Sequence, residues 1–382
     1  MVTFALNMIY FDHSATTPLD PRVLELMREV ADQHYGNPSS IHQLGQKARA
    51  IIERSRRQAA DSLGVKSRNI IFTGGGTEAN NLVLQYVLYN DKKHVITSSI
   101  EHPAILSVLK NLKKFGVSHT VIPVDKYGIV NIEKLESAIQ NDTSLITIMY
   151  ANNEVGSIQP LQDIAKIAHK NNILFHTDSV QTPGKVSINI HDMNVDLASF
   201  SAHKFYGPKG VGLLYIGDKI KLNPLIIGGG QEKKLRAGTE NTPGIAGLGL
   251  AIELATNNLE SSIKHLTDIE NHFKEKFNSI YPTAIYNGHP EKHLPGLVNI
   301  TIPSITSDIL LINLDMRGIA ISSGSACSSG TVNPSSVLSA MNINNRHNIS
   351  TLRISFGKGN TVDEVDLLVK SLDEILTKYK KK

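Results

Sequence analysis

The chain has 382 residues, 41% hydrophobic and 19% charged, with a formal net charge of +4, an ordinary balance for a globular protein of two or three domains. The positive surplus gathers in the Lys378 to Lys382 tail and not across one face, which argues against nucleic acid as a direct partner. A single cysteine excludes an internal disulfide and a multi-cysteine metal site; with no apolar run of the roughly 20 residues a bilayer requires and no secretory signal in Met1 to Tyr10, a cytoplasmic protein without a bound metal is expected, with Met1 or Met8 as its start.

Asp20 followed by Pro21 marks a helix start, and Val23, Leu26, Met27 and Val30 carry its apolar spacing toward a stop at Gly36. A second helix is predicted from Ser40 to Leu63, stopped by Gly64. Short apolar strands then alternate with helices. Strands are expected at 69–72, 94–100, 119–124, 145–150, 173–178, 196–201 and 211–216. Helices are expected near Glu78 and over 103–114, 132–140 and 160–170. Continuous apolar strands between helices indicate a mostly parallel sheet covered on both sides. The pattern changes near residue 255. A long helical stretch to about Ile280 is followed by a strand at 297–302, a helix at 307–317, a Ser/Gly-rich loop at 322–331, a strand at 352–356 and a helix at 362–379. This reads as a smaller α+β domain.

Ligands of open α/β sheets bind beyond the C-terminal ends of the strands, and here those ends are polar. Thr73-Gly74-Gly75-Gly76-Thr77-Glu78 can cradle a phosphate with backbone N–H groups and a helix N-terminus, or serve as a flexible turn; it lacks the Gly-Lys-Ser/Thr of a P-loop. Asp178, in His176-Thr177-Asp178-Ser179, can pair with a protonated pyridine nitrogen or cap a helix. Lys204, in Ser201-Ala202-His203-Lys204, can form a Schiff base if burial lowers its pKa, or snorkel to the surface. Together these supply what pyridoxal phosphate needs: a phosphate cradle, a ring-nitrogen partner and a Schiff-base lysine. His102, in Glu101-His102-Pro103, can stack on a ring and shuttle protons, or be a satisfied core histidine. Arg353 can clamp a carboxylate or make a surface salt bridge. Cys327 lies in Ser322-Ser323-Gly324-Ser325-Ala326-Cys327-Ser328, a small polar stretch that suits a travelling nucleophile better than a core thiol.

At these residues the chain resembles the class I cysteine desulfurases, of the nitrogen-fixation and iron–sulfur-cluster types, within the pyridoxal-phosphate-dependent aminotransferase class V family. The resemblance runs from Tyr10-Phe11-Asp12-His13-Ser14-Ala15-Thr16-Thr17-Pro18 through Tyr35 to Ser40, Thr73 to Asn81, Asn152 to Gly156, Ser201 to Gly210 and Arg236 to Asn241, and ends on Ser322 to Ser328. It implies the fold type I architecture of pyridoxal phosphate transferases: an α/β large domain, 17–258, whose mostly parallel mixed sheet is flanked by helices, and a smaller α+β domain, 1–16 with 259–382, carrying the cysteine loop.

The resemblance also implies roles. Lys204 binds the cofactor covalently, Asp178 pairs with its ring nitrogen and Gln181 meets its ring hydroxyl. Gly76, Thr77, Ser201 and His203 hold its phosphate, and Thr242 reaches the phosphate of the other subunit of a homodimer. His102 stacks on the ring and is the first candidate for a proton acceptor. Asn153 and Arg353 bind the carboxylate of L-cysteine, and Cys327 takes the sulfur as a persulfide, leaving alanine. The sulfur would pass to an acceptor protein, a cluster scaffold or a thiolation enzyme. The chain stops soon after Tyr379, without the longer C-terminal extension of the iron–sulfur-cluster type. Selenocysteine lyase or aminotransferase activity is the alternative within the fold.

Overall fold

The first helix starts where Asp20 and Pro21 predict. Asp20 Oδ1 accepts the Arg22 N–H at 2.9 Å, satisfying a donor that the first helical turn leaves unpaired. The computed structural model describes residues 8–323 and 333–380. It begins with β1 (Ile9–Tyr10), α1 (Pro21–Gln33) and α2 (Gln43–Leu63), the last closed by Gly64 in the left-handed region at φ 68°. The alternating part then runs β2 (Ile70–Thr73), α3 (Gly76–Gln85), β3 (His94–Ser98), α4 (Pro103–Leu112), β4 (Ser118–Ile122), α5 (Ile132–Ser137), β5 (Thr143–Thr147), α6 (Leu161–Lys170), β6 (Leu174–Asp178), α7 (Ile190–Met193), β7 (Leu197–Ser201) and β8 (Gly212–Ile216).

Strands β2 to β8 form one seven-stranded sheet in the order β2-β8-β7-β6-β5-β3-β4. The pairs from β7 across to β4 are parallel, and β8 is antiparallel to both of its neighbours. β2 therefore points the same way as β7, and the C-terminal ends of β2, β3, β5, β6 and β7 share one edge. Both faces are buried. Ile70, Phe72, Ile146 and Phe175 join one core, while Ile71, Val95, Leu145 and Leu197 join another on the opposite side. Burial on both faces is why these strands read as unbroken apolar runs.

The sequence predicts one helical stretch beginning near residue 255; the structure has two helices, α8 (Thr242–Asn257) and α9 (Leu259–Ile280). Helix α8 escapes periodicity because it is buried on most sides against α1 and α2, so no polar stripe marks its outer face. Its glycines allow that approach. A Cβ on Gly249 would stand 2.7 Å from Ser55 Cα, and one on Gly247 2.8 Å from Met27 Cγ. Gly249→Ala is expected to destabilise the protein by about 1–3 kcal/mol, the usual range for overpacking. Denaturant unfolding measures this, and an unchanged midpoint would mean that α2 and α8 part freely.

The remaining elements are β9 (Ile285–Asn287), β10 (Leu297–Thr301), α10 (Ser307–Asp315), β11 (Ile319–Ala320), α11 (Ser336–Ala340), α12 (Asn345–Asn348), β12 (Thr351–Ser355) and α13 (Val362–Lys380). β12, β10 and β9 form an antiparallel sheet. Its core gathers Phe273 and Phe277 of α9, Ile300, Leu352, Ile354, Phe356 and the inward face of α13, together with Phe11 from the start of the chain. β1 pairs with β11, and Asp12 bridges Ser355. The N-terminal segment thus crosses from this second core to the edge of the large sheet.

Candidate active site

At the end of β2 the chain turns through Gly75, at φ 150°, straight into α3. The helix begins at Gly76, two residues earlier than Glu78, and no side chain caps it. Its first N–H groups therefore remain available for an anion. Glu78 braces the turn from behind: its Oε2 accepts the Gly74 N–H at 2.9 Å, and its Oε1 accepts from Arg236 Nε at 3.0 Å. Gly76 is required by close packing, since a Cβ there would meet Val180 Cγ2 at 2.6 Å and Ser201 Cβ at 3.5 Å. Ser201, the last residue of β7, is buried beside this turn, and Thr77 is exposed at its rim.

Asp178 ends β6, on the same edge. It is 8% exposed, with Oδ2 accepting from Asn80 Nδ2 at 2.7 Å and Oδ1 from the Val180 N–H at 3.0 Å. Gln181 donates from Nε2 to the Ser14 carbonyl at 3.0 Å, while its Oε1 is buried with no partner among the described residues. Lys204 follows β7 in a single 3-10 turn, and its Nζ donates to the carbonyls of Ser14 (2.6 Å) and Ala15 (2.8 Å). Burial, helped by Arg353 and opposed by Asp178 and Asp12, pulls the amine down to about 8. A substantial neutral fraction is thereby available for nucleophilic attack near neutral pH. His203 shares Nδ1 with Thr16 Oγ1 at 3.1 Å, and burial together with Lys204 and Lys209 holds it down to about 4.

His102 caps α4, its Nδ1 accepting the Ala104 N–H at 3.1 Å. The neutral ring must then carry its proton on Nε2, so that atom donates a hydrogen bond; taking up a proton there requires the other tautomer, which gives up the cap. Beside it Glu101 is buried, taking Ser98 Oγ–H at 2.6 Å and the Met149 N–H at 2.9 Å on Oε1. Burial pushes its carboxyl up to about 8, against the lowering pull of those two bonds. An unfolded Glu titrates near 4.5, so between these values the folded chain binds the extra proton. This group's stabilisation is complete below the lower value and lost as pH rises through the upper. Glu101→Gln is expected to flatten that loss. Unfolding midpoints compared at about pH 6 and about pH 9 check it: equal slopes in both proteins would place the titration elsewhere.

Arg353, at the middle of β12, is 5% exposed. It is no surface salt bridge: Nη2 donates to Asp12 Oδ1 at 2.8 Å and Nη1 to the Asn153 carbonyl at 3.2 Å, while Nε is buried without a partner among the described residues. Asn153 follows β5 in a turn pinned by Asn152, whose Oδ1 accepts the N–H groups of Glu154 (2.8 Å) and Val155 (3.0 Å). The edge of the sheet thus collects Gly76, Thr77, His102, Asn153, Asp178, Gln181, Ser201, His203 and Lys204, with Arg353 reaching over from the second core. Thr242 stands apart: it opens α8 and its N–H donates to the Glu240 carbonyl at 2.9 Å, with no hydrogen bond toward the turn at Gly75 among the described residues. Cys327 lies outside the described residues. Among the described residues no group of three His, Cys, Asp or Glu could hold a metal ion.

The aminotransferase class-V family matches residues 9–368. The chain is 44% identical over 375 residues to the cysteine desulfurase IscS of Methanosarcina thermophila, covering 97% of this chain and 93% of that one. In structure it is similar to a NifS-like protein, with a TM-score of 0.91, 40% identity and coverage of 97% and 99%. It also matches SspA in complex with cysteine, with a TM-score of 0.81, 36% identity and coverage of 92% and 100%. The chain belongs to the class-V aminotransferases, among the cysteine desulfurases. Members of this family depend on pyridoxal phosphate. The residues present fit that group. An uncapped helix N-terminus suits its phosphate, a buried carboxylate its ring nitrogen, and the orphaned Oε1 of Gln181 a ring hydroxyl.

Several residues of this desulfurase-family site were missed in sequence. Asn80 orients Asp178, Asp12 holds Arg353, and the Ser14 carbonyl receives both Lys204 and Gln181. Asn80 had a signal: four residues after Gly76, it shares the helix face above the turn. The other two act through partners distant in sequence, and no local pattern announces them.

Proposed function

We propose that this chain is a cysteine desulfurase that converts L-cysteine to L-alanine and moves the sulfur to Cys327. The observation that carries the reading is the placement of the Lys204 amine and the Asp178 carboxylate at neighbouring strand ends beside an uncapped helix N-terminus, in a chain 44% identical to a named desulfurase. Bound pyridoxal phosphate supplies an electron sink for the pair of electrons left at Cα when its proton departs.

The chain's own residues would do the rest. The N–H groups of Gly76 and Thr77, with Ser201 and His203, hold the phosphate, and Thr242 serves the partner subunit's site. Asp178, fixed by Asn80, keeps the ring nitrogen protonated, and Gln181 meets the ring hydroxyl. Lys204 holds the cofactor covalently until substrate arrives, then takes the Cα proton. His102 covers the ring, takes the proton of the Cys327 thiol and returns it to the carbon side. The substrate carboxylate takes the Arg353 nitrogen that Asp12 and Asn153 leave open, together with the Asn153 side chain. The Cys327 thiolate attacks the substrate sulfur: a sulfur–sulfur bond forms, the carbon–sulfur bond breaks, and the carbon side gains a proton to become alanine. Cys327 is left as a persulfide.

The reading extends to a division of the chain into a large part, 17–258, and a smaller one, 1–16 with 259–382, supported by the second core that Phe11 forms with α9, β10, β12 and α13, while α11 packs through Val337 and Leu338 into the large core. It extends also to a cytoplasmic homodimer. The lone cysteine supports the reducing compartment; Tyr35, Ile41 and Ile227, 73%, 91% and 82% exposed, support a second copy covering them. No described helix is long and apolar enough to cross a membrane. The persulfide would pass to a cluster scaffold or a thiolation enzyme. The test is alanine and sulfide release from L-cysteine plus a thiol, for the wild type and Cys327→Ala. Product from the wild type alone is expected; full turnover by Cys327→Ala would move the function to an aminotransferase of the same fold.

A further inference from the structure

A cavity of about 330 Å³ lies where the two cores meet. Phe205 and Ala251 bring one core to its wall, and Leu266 and Phe356 bring the other. Its charged groups are mostly cationic. Asp20, the carboxylate of the lining, is shared between Arg22 at 2.9 Å and Lys358 at 2.5 Å. Lys185 is different. The Pro183-Gly184 turn, with Gly184 at φ 74° against Ala255, brings it onto the wall, yet its ammonium has no hydrogen-bond or ion-pair partner among the described residues. One more nitrogen on the same wall, His265 Nε2, is buried and unpartnered among those residues, whereas His13, held neutral at about 4 by burial, gives its ring N–H to the Tyr10 carbonyl. Burial, with Lys204 and Arg353 nearby, pulls the Lys185 amine down to about 7. Unpaired donors between apolar walls are costly unless something pairs with them, and an apolar pocket with a few convergent polar groups is how small-molecule sites are built.

We propose that this cavity is a second ligand site, for a small monocarboxylate with an apolar body. The carboxylate sits on Lys185 with His265 as a further donor, and the apolar body lies against Ala255, Leu266 and Phe356. Because both cores and Lys204 line the cavity, an occupant braces one core against the other beside the catalytic amine.

The probe is phenylacetate, titrated by calorimetry into the full-length protein loaded with pyridoxal phosphate, with 2-phenylethanol as its uncharged counterpart. Saturable binding of one phenylacetate per chain is expected. Lys185→Met should weaken it by at least about tenfold, the alcohol should bind at least about tenfold more weakly to the wild type, and Arg353→Ala should leave it in place. The comparison with the alcohol needs no variant and stands even if Lys185→Met fails to fold. No saturable binding, equal binding of acid and alcohol, or loss of binding in Arg353→Ala would overturn the site; the last would assign the anion to the substrate clamp. None of these readings requires turnover of L-cysteine, so the result is independent of the desulfurase reading.

Discussion

Lys204→Ala is expected to lower alanine formation from L-cysteine by about 10²-fold to 10⁴-fold, the range that a positioned acid–base group contributes, and to remove the covalent link to pyridoxal phosphate altogether. Neither neighbouring histidine can replace the amine. His203, the adjacent base, is held at about 4 with Nδ1 engaged by Thr16, and His102 carries its neutral-state proton on the nitrogen that the cap leaves free. The cradle at Gly76, the Asp178 carboxylate and Gln181 do not depend on Lys204, so the cofactor should still bind, reversibly. Borohydride reduction followed by mass measurement separates the two effects: a fixed adduct in the wild type and none in the variant. An adduct of equal yield in Lys204→Ala would place the covalent bond on another amine, with Lys185 the first to examine.

Glu232→Ala is expected to destabilise the protein by about 3–5 kcal/mol, as breaking one half of a buried ion pair does. Glu232 holds Arg56 through two bonds of 2.7 and 2.8 Å, and its Oε2 also accepts the Phe72 N–H at 2.8 Å. Arg56 in turn donates to the Ile70 carbonyl at 2.9 Å and lies over the Phe72 ring. β2 stands at the end of the sheet order, so this carboxylate does for one backbone N–H what a neighbouring strand would otherwise do. The arrangement holds Glu232, Lys233 and Lys234 at φ 43°, 59° and 67°, a region that side-chain-bearing residues enter only when their surroundings require it. Without Glu232 the buried guanidinium keeps only the half-exposed Glu53 carboxylate, at 3.2 Å from Nε, and loses both short bonds just before the Gly74–Gly76 turn, so cofactor affinity should fall along with stability. The double variant Arg56→Met, Glu232→Leu should recover much of the stability, because two apolar groups leave no orphaned charge. Denaturant unfolding and cofactor titration of the three proteins check this. A double variant no more stable than Glu232→Ala would mean that the lost bond to Phe72 N, and not the bare charge, carries the effect.

The parts of this protein that its sequence determined are those governed by local rules. The start of α1 rests on Asp20 and Pro21, two adjacent residues whose chemistry acts within one turn. The sheet strands were legible because burial on both faces demands unbroken apolar runs, and the polar residues that follow them, Asp178 after Phe175 and Lys204 after Phe200, stand out for the same reason. Where burial removes the contrast the reading fails. Helix α8, glycine-bearing and packed between neighbours, offered no polar face to count, and its existence follows from how closely Ser55 and Met27 approach it.

Tertiary structure alone decided what each polar group holds. Asp12 meets Arg353 across 341 residues and Arg56 meets Glu232 across 176. The Ser14 carbonyl receives Lys204 from 190 residues away, and the cavity beside Lys185 exists only because two cores abut. Hydrogen bonds and ion pairs act over about 3 Å of space and are indifferent to separation along the chain. A sequence can therefore show that a lysine or a carboxylate stands at a strand end, but only the packing of distant segments determines which partner it finds and which, like Lys185, finds none among the described residues.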